Sequence, residues 1–176
     1  MQKKTIFEMG RATLEQFRAR PKMPVVVVLD NVRSLNNIGA IFRTADGFAC
    51  TGVALCGISA TPPSPEIHKT ALGAEDSVGW RYFATTADAV AALRAEGYTI
   101  VCLELVKGSV ALNEFRTDPT KRYALVVGHE VEGVDQAIVD DADLCLEIPQ
   151  SGTKHSLNVS VSAALALWEF YRQLYL

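Results

Sequence analysis

The chain has 176 residues, 49% of them hydrophobic, with only 12 glycines and 7 prolines. That is long enough to bury a full core in one domain without disulfide or metal staples, and too apolar for a disordered chain. A net charge of −3 and an isoelectric point near 5.6 set it apart from nucleic-acid binders that are basic throughout.

The apolar run Val25–Leu29 falls far short of a membrane span. Lys3, Lys4, Glu8, Arg11 and Glu15 break up the N-terminus, so no signal peptide is expected. Cys50, Cys56, Cys102 and Cys145 form no Cys-x-x-Cys pair and have no His at zinc-finger spacing. A reduced, cytoplasmic protein without a metal is the expectation. Charge is unevenly spread: residues 1–22 carry six basic groups against Glu8 and Glu15, a net +4, which leaves −7 on residues 23–176. A basic N-terminal arm on an acidic body (23–176) suits a polyanionic partner reached by the arm, although a solvated helix face has the same charge pattern.

In chain order, residues 8–20 read as a short helix with Met9, Ala12, Leu14 and Phe17 apolar. Pro21 and Pro24 end it in a hinge. Pro24–Leu29 is a continuous β-branched run, the pattern of a strand buried on both faces. A helix from Asn37 places Ile38, Ile41, Phe42, Ala45 and Ala49 on one face, with Asn36 or Asn37 as its cap and Arg43 turned away from the apolar stripe. Gly52–Cys56 is a second strand, and Pro62, Pro63 and Pro65 mark a loop. Glu66–Leu72 reads as a short helix, Val78–Phe83 as a strand, and Thr86–Glu96 as a helix closed by Gly97. Strands follow at Tyr98–Leu105 and Tyr123–Val127, then a short helix at Val134–Asp140 and a last strand at Leu144–Ile148. Alternating strands and helices predict an α/β fold, a mainly parallel sheet flanked by helices. The final helix, from Ser156, is apolar on two faces. Leu157, Val161, Ala164 and Trp168 line one of them, more than one sheet covers. A homodimer is expected.

Several chemistries are excluded. No Gly-x-Gly-x-x-Gly follows the first strand, against a dinucleotide site or a flavodoxin-like nucleotide binder. Gly128–Gly133 has P-loop spacing, but Val134-Asp135 stands where Lys-Ser/Thr would hold phosphate. No Gly-x-Ser-x-Gly elbow supports a hydrolase reading of His155 and Ser156. What remains is three polar clusters, each following a strand: Asn36-Asn37-Ile-Gly39…Arg43-Thr44, Gly128-His-Glu130…Gly133, and Pro149–Asn158. Loops beyond the carboxyl ends of parallel strands gather at one edge of the sheet.

Asn37-x-Gly39-x-x-x-Arg43-Thr-Ala45, Gly128-x-Glu130-x-x-Gly133 and Ile148-Pro-x-x-Gly152-x-x-x-Ser156-Leu-Asn-Val-Ser160 resemble the three ordered motifs of the SpoU (TrmH-like) ribose 2′-O-methyltransferases of the SPOUT superfamily. The resemblance runs from about residue 24 to the end. It implies a SPOUT-type fold with a C-terminal deep trefoil knot, a homodimer, bound S-adenosylmethionine (AdoMet) and an RNA substrate. It assigns Asn37, Arg43, Glu130, Ser156 and Asn158 to catalysis, and Leu103, Glu104, Leu105, Gly128, Ile148 and Leu157 to the cofactor. Glu130 is a candidate to pair with an arginine, in its own chain or across the dimer. Two departures bear on the pocket wall. Gln150 replaces a frequent Met, and His129 stands where many members have a small or polar residue. His68, Lys69, Arg81, Lys107, Lys154 and His155 are candidate phosphate contacts. Transfer RNA is favoured over ribosomal RNA, because the chain is compact and lacks a separate RNA-binding domain. A non-catalytic AdoMet- or RNA-binding dimer is the alternative.

Overall fold

The computed structural model describes all residues except 6, 7, 9 and 11. Met9 and Arg11, assigned above to the first helix and the basic arm, lie outside the described residues. The elements are α1 (Leu14–Ala19), β1 (Met23–Asp30), α2 (Leu35–Gly47), β2 (Cys50–Cys56), α3 (Pro65–Ala71), α4 (Ala74–Ser77), β3 (Trp80–Phe83), α5 (Thr86–Ala95), β4 (Tyr98–Leu103), β5 (Val110–Ala111), β6 (Arg122–Val127), α6 (Gln136–Asp141), β7 (Leu144–Glu147) and α7 (Val159–Tyr175). The strands form one seven-stranded sheet in the order β3-β2-β1-β6-β4-β7-β5, and every pairing is parallel.

Strand β1 shows why the sheet is covered on both faces. Side chains alternate along a strand, so Val25, Val27 and Leu29 enter one core while Val26 and Val28 enter the other. The first core contains Ile38, Ile41 and Phe42 of α2 with Ala163, Leu167 and Phe170 of α7. The second contains Ala89, Val90 and Leu93 of α5 with Ile138 of α6. Phe170 is fully buried against Phe115 and Tyr123, at ring separations of 5.3 and 5.1 Å. Removing such a ring costs about 3–5 kcal/mol, so α7 is firmly anchored, and with it the loop that feeds its first turn.

Several expected boundaries move, each for a local reason. Pro24 lies inside β1 rather than at a hinge. It has no N–H to give, and the β1–β2 register shifts between Met23 and Val26. Ser34, not Asn36 or Asn37, caps α2, its hydroxyl accepting from the Asn37 N–H at 3.3 Å. That leaves the Asn37 side chain free for other work. Ala49 lies past the helix end, with φ at +50°. Helix α7 begins at Val159, because the Asn158 carboxamide oxygen accepts from the N–H groups of Ser160 and Val161; Ser156 and Leu157 therefore sit in the preceding loop. Strand β4 stops at Leu103. The short elements α4 and β5 were not anticipated. Segment 14–19 is docked, with Phe17 buried in the first core and a Thr13/Gln16 capping box at its start.

Candidate active site

The loops that follow β4, β6 and β7 enclose a two-lobed cleft at the carboxyl edge of the sheet, and the loop after β1 joins them through Glu130. The larger lobe of the cleft, about 560 Å³, is lined by Leu103, Glu104, Leu105, Gly128, Glu130 and Leu157 among others. The smaller lobe adds Glu147, Ile148 and Gln150, and Ser156 lines both. Asn158 borders the larger lobe. His129 and Gln150, the two departures from the family pattern, are both part of the wall.

One side chain ties the three motifs together. Asn37 donates through Nδ2 to Glu130 Oε1 at 2.9 Å, and its Oδ1 accepts from Asn158 Nδ2 at 3.1 Å. Its position on the first turn of α2 makes this possible, since Ser34 already caps the helix. Asn158 is bound from both sides as well: while it donates to Asn37, its Oδ1 accepts from the Ser160 hydroxyl at 2.6 Å. Glu130 accepts from the backbone N–H groups of Arg33 at 3.0 Å and Ser34 at 2.8 Å. A carboxylate is favoured among the unpaired N–H groups where a helix starts. Burial pushes its pKa up, but hydrogen bonds from the Arg33 N–H, the Asn37 amide and the Ser34 N–H outweigh that and hold it down at about 2. Among the described residues, no arginine of the same chain pairs with Glu130. Backbone N–H groups and an amide take that place.

The Glu130 loop has its own frame. His129 and Gly133 exchange backbone hydrogen bonds at 3.0 and 2.9 Å, and His129 Nδ1 accepts from the N–H groups of Val131 and Glu132. A Cβ on Gly128 would lie 2.1 Å from the Gly133 carbonyl carbon and 2.2 Å from the Val134 nitrogen. This glycine is therefore required by the fold of the loop itself. Glu104 closes the frame, accepting from the Val134 N–H through Oε2 and from the Leu105 N–H through Oε1, each at 2.9 Å.

Arg43 is not brought to this cluster. Six residues beyond Asn37, it lies roughly 9 Å farther along the helix and about 120° around it. It is exposed, makes no hydrogen bond or ion pair among the described residues, and does not line the cleft. Among the phosphate candidates, Arg81 is paired with Glu96 at 2.6 Å and His68 with Glu75 at 2.6 Å. His155 lines the cleft. Among the described residues, the lining carries four carboxylates, Glu104, Glu130, Glu132 and Glu147, and no Lys or Arg. Such a wall favours a small cation and disfavours a polyanion.

Residues 24–168 match the model of the SpoU rRNA Methylase family. The chain belongs to that family. A 23S rRNA (guanosine-2′-O-)-methyltransferase of Nitrosomonas europaea is 35% identical over 166 residues, which cover 92% of this chain and 62% of that protein. A tRNA (guanosine(18)-2′-O)-methyltransferase of Escherichia coli K12 is 32% identical over 165 residues, 92% of this chain and 69% of the relative. The fold matches the crystal structure of an AdoMet-bound rRNA methyltransferase from Sinorhizobium meliloti with a TM-score of 0.79 at 29% identity, covering 89% of this chain and 62% of that one. The chain thus spans less than two thirds of the length of several relatives it matches. Beyond the residues assigned above to catalysis and the cofactor, the structure adds Ser34, Ser160 and the side chain of Glu104. Ser160 closes the third motif and was within reach of sequence reasoning. Glu104 was expected to act through its backbone alone, and nothing in its neighbours marks the carboxylate.

Proposed function

We propose that this chain transfers a methyl group from AdoMet to a ribose 2′-hydroxyl of RNA, with tRNA favoured over rRNA. The observation that carries the reading is the junction at Asn37, which joins all three family motifs beside a cleft lined by carboxylates and free of Lys and Arg. The Sinorhizobium relative is AdoMet-bound, and a sulfonium suits an acidic wall. Backbone groups of Leu103, Glu104, Leu105, Gly128, Ile148 and Leu157 would hold the cofactor, which supplies an electrophilic methyl group when bound. Methyl transfer is an in-line displacement, so the enzyme must fix the 2′-oxygen and ease the loss of its proton. Asn158 and Ser156 offer neutral hydrogen bonds for orienting the ribose. Asn37 and Glu130 hold Asn158 and the start of α2 in place. Arg43, whose planar guanidinium offers a fork of N–H donors and no acceptor, is suited to stabilising the developing alkoxide or the adjacent phosphate rather than to acting as a base.

Arg43 has to reach a cleft that it does not line in its own chain, and a homodimer through α7 supplies the route. Val161, Leu165, Trp168 and Tyr175 are each at least 41% exposed and fall within an arc of roughly 80° on that helix. Exposed apolar stripes of this kind mark an interface. Helix α2 lies beside it, with Phe48 just past its end 6.0 Å from Trp168. A partner docked on the stripe therefore approaches Arg43. The trefoil knot belongs to the same proposal. Strand β7 pairs with β4 on one side and β5 on the other, so the 104–109 connection that joins those two has to cross it, which supports a threaded C-terminal part. The acidic lining also requires RNA to be gripped outside the cleft, a role for the basic segment 1–22 of a cytoplasmic enzyme. Incubation with methyl-labelled AdoMet and bulk RNA, followed by fractionation, tests the reading. Label in tRNA is expected, and label in rRNA reassigns the substrate. No label in either, with AdoMet bound in calorimetry, leaves a non-catalytic binding dimer.

A further inference from the structure

Of the two tryptophans in the chain, Trp168 belongs to the α7 stripe. Trp80 stands at the far edge of the sheet, on β3, with 38% of its surface exposed. Two grooves meet on its indole. One, of about 770 Å³, is walled by Pro62, Pro63, Pro65 and His68. The other, of about 540 Å³, is lined by Arg18 and Lys22. Glu75 and Asp76 border both. The docking of α1 builds the second groove: Phe17 is buried, and Arg18 Nη2 donates to the Asp76 carbonyl at 2.6 Å. The basic segment is thus fixed beside an exposed aromatic ring. Beneath the first groove, Glu75 has a side chain only 8% exposed; its Oε1 faces His68 Nδ1 at 2.6 Å, and its Oε2 is buried without a hydrogen-bond partner among the described residues. A buried acceptor left unsatisfied needs a donor.

We infer that the Trp80 groove is a second RNA site, taking one base of a single-stranded segment of the substrate between the indole and the proline wall, with its phosphate against Arg18 and Lys22. A flat ring, a flat apolar wall, an acceptor-rich floor and two cations on the far side match the parts of a nucleotide in that order. Base stacking on an aromatic ring tolerates any sequence, and the cations supply the affinity for the backbone. Tyr82 continues the surface two residues along β3, and its hydroxyl donates to the Gly57 carbonyl at the carboxyl edge. From there the end of β6, where the cleft begins, is three strand spacings away, roughly 14 Å. One RNA strand is thereby held at the groove and presented at the cleft.

The identity of the ligand rests on the proposed function, and the test keeps the two apart. In a Trp168→Phe chain, Trp80 is the only tryptophan. Titration with a short mixed-sequence oligoribonucleotide, without AdoMet, is expected to quench its emission saturably. Trp80→Ala should bind the oligonucleotide roughly 5- to 100-fold more weakly and Trp80→Phe should recover most of the loss, with AdoMet affinity unchanged in both. Arg18→Ala with Lys22→Ala should lower the log–log salt slope by about 1.4. Saturable RNA binding with unchanged Trp80 emission and native affinity in Trp80→Ala overturns the inference. So does quenching by a proline-rich peptide but not by RNA. Quenching by RNA in a chain that transfers no methyl group overturns the proposed function alone.

Discussion

Replacing Asn37 by aspartate exchanges one nitrogen for oxygen and inverts the bond that ties the first motif to the second. Asn37→Asp can still accept from Asn158 Nδ2, but where Nδ2 donates to Glu130 Oε1 at 2.9 Å it sets two carboxylates face to face. Losing a hydrogen bond to a charged acceptor costs about 1.5–3 kcal/mol. Two unit charges about 4 Å apart, at an effective dielectric of 20–40, repel by roughly 2–4 kcal/mol. The site is partly open to water, so the lower ends apply, and the expected loss is about 3–5 kcal/mol at pH 7. The pH dependence is diagnostic. Burial raises the Glu130 pKa, but the hydrogen bonds it accepts bring it down to about 2 from an ordinary 4.5. Its stabilisation is therefore complete above 4.5 and is lost as the pH falls toward 2. In Asn37→Asp the facing pair binds a shared proton at a higher pH than a lone carboxylate does. The deficit of the variant should then shrink by at least about 1 kcal/mol between pH 7 and pH 5. Urea unfolding of both proteins at the two pH values, with matched slopes, measures it. A deficit below about 1 kcal/mol, or one equal at both pH values, refutes the role given to this bond.

Gly128→Ala should lose at least about 2 kcal/mol, because its methyl group collides with the Gly133–Val134 backbone, and AdoMet binding should weaken in calorimetry. A melting temperature unchanged from native contradicts the close approach. Val161→Asp with Leu165→Asp places charges in the α7 stripe and should shift sedimentation from dimer to monomer with a parallel loss of methyl transfer. A variant still dimeric moves the interface elsewhere. Arg43→Lys keeps the charge but loses the planar fork, so turnover should fall about 100-fold with AdoMet affinity intact. Near-native turnover with normal RNA binding removes Arg43 from the chemistry.

The sheet was legible where local pattern and tertiary demand agree. Val25–Leu29 is apolar without interruption because β1 is buried on both faces, and Gly97 closes α5 with φ at +84° as its position suggested. Elements held by long-range pairing were not legible: β5 is two residues long and exists through its pairing with β7. Pro24 read as a hinge because the local rule knows nothing of a register shift at the start of a central strand. The cluster itself was partly visible. Motif spacing singled out Asn37, Glu130 and Asn158, but not who bonds to whom. Glu130 and Asn37 lie 93 residues apart, and the N–H groups that Glu130 accepts belong to backbone, which has no sequence signature. Arg43 shows the reverse case, clear in the motif yet outside the cleft of its own chain.

Ribose methylation removes the 2′-hydroxyl that alkaline cleavage of RNA requires, and this gives the most direct test of the account. RNA labelled by this protein from methyl-labelled AdoMet is hydrolysed in alkali and the products are separated by length. The account predicts label in alkali-resistant dinucleotides, formed far more slowly by the Arg43→Lys and Asn37→Asp proteins. Label confined to mononucleotides would place the methyl group on a base and contradict it.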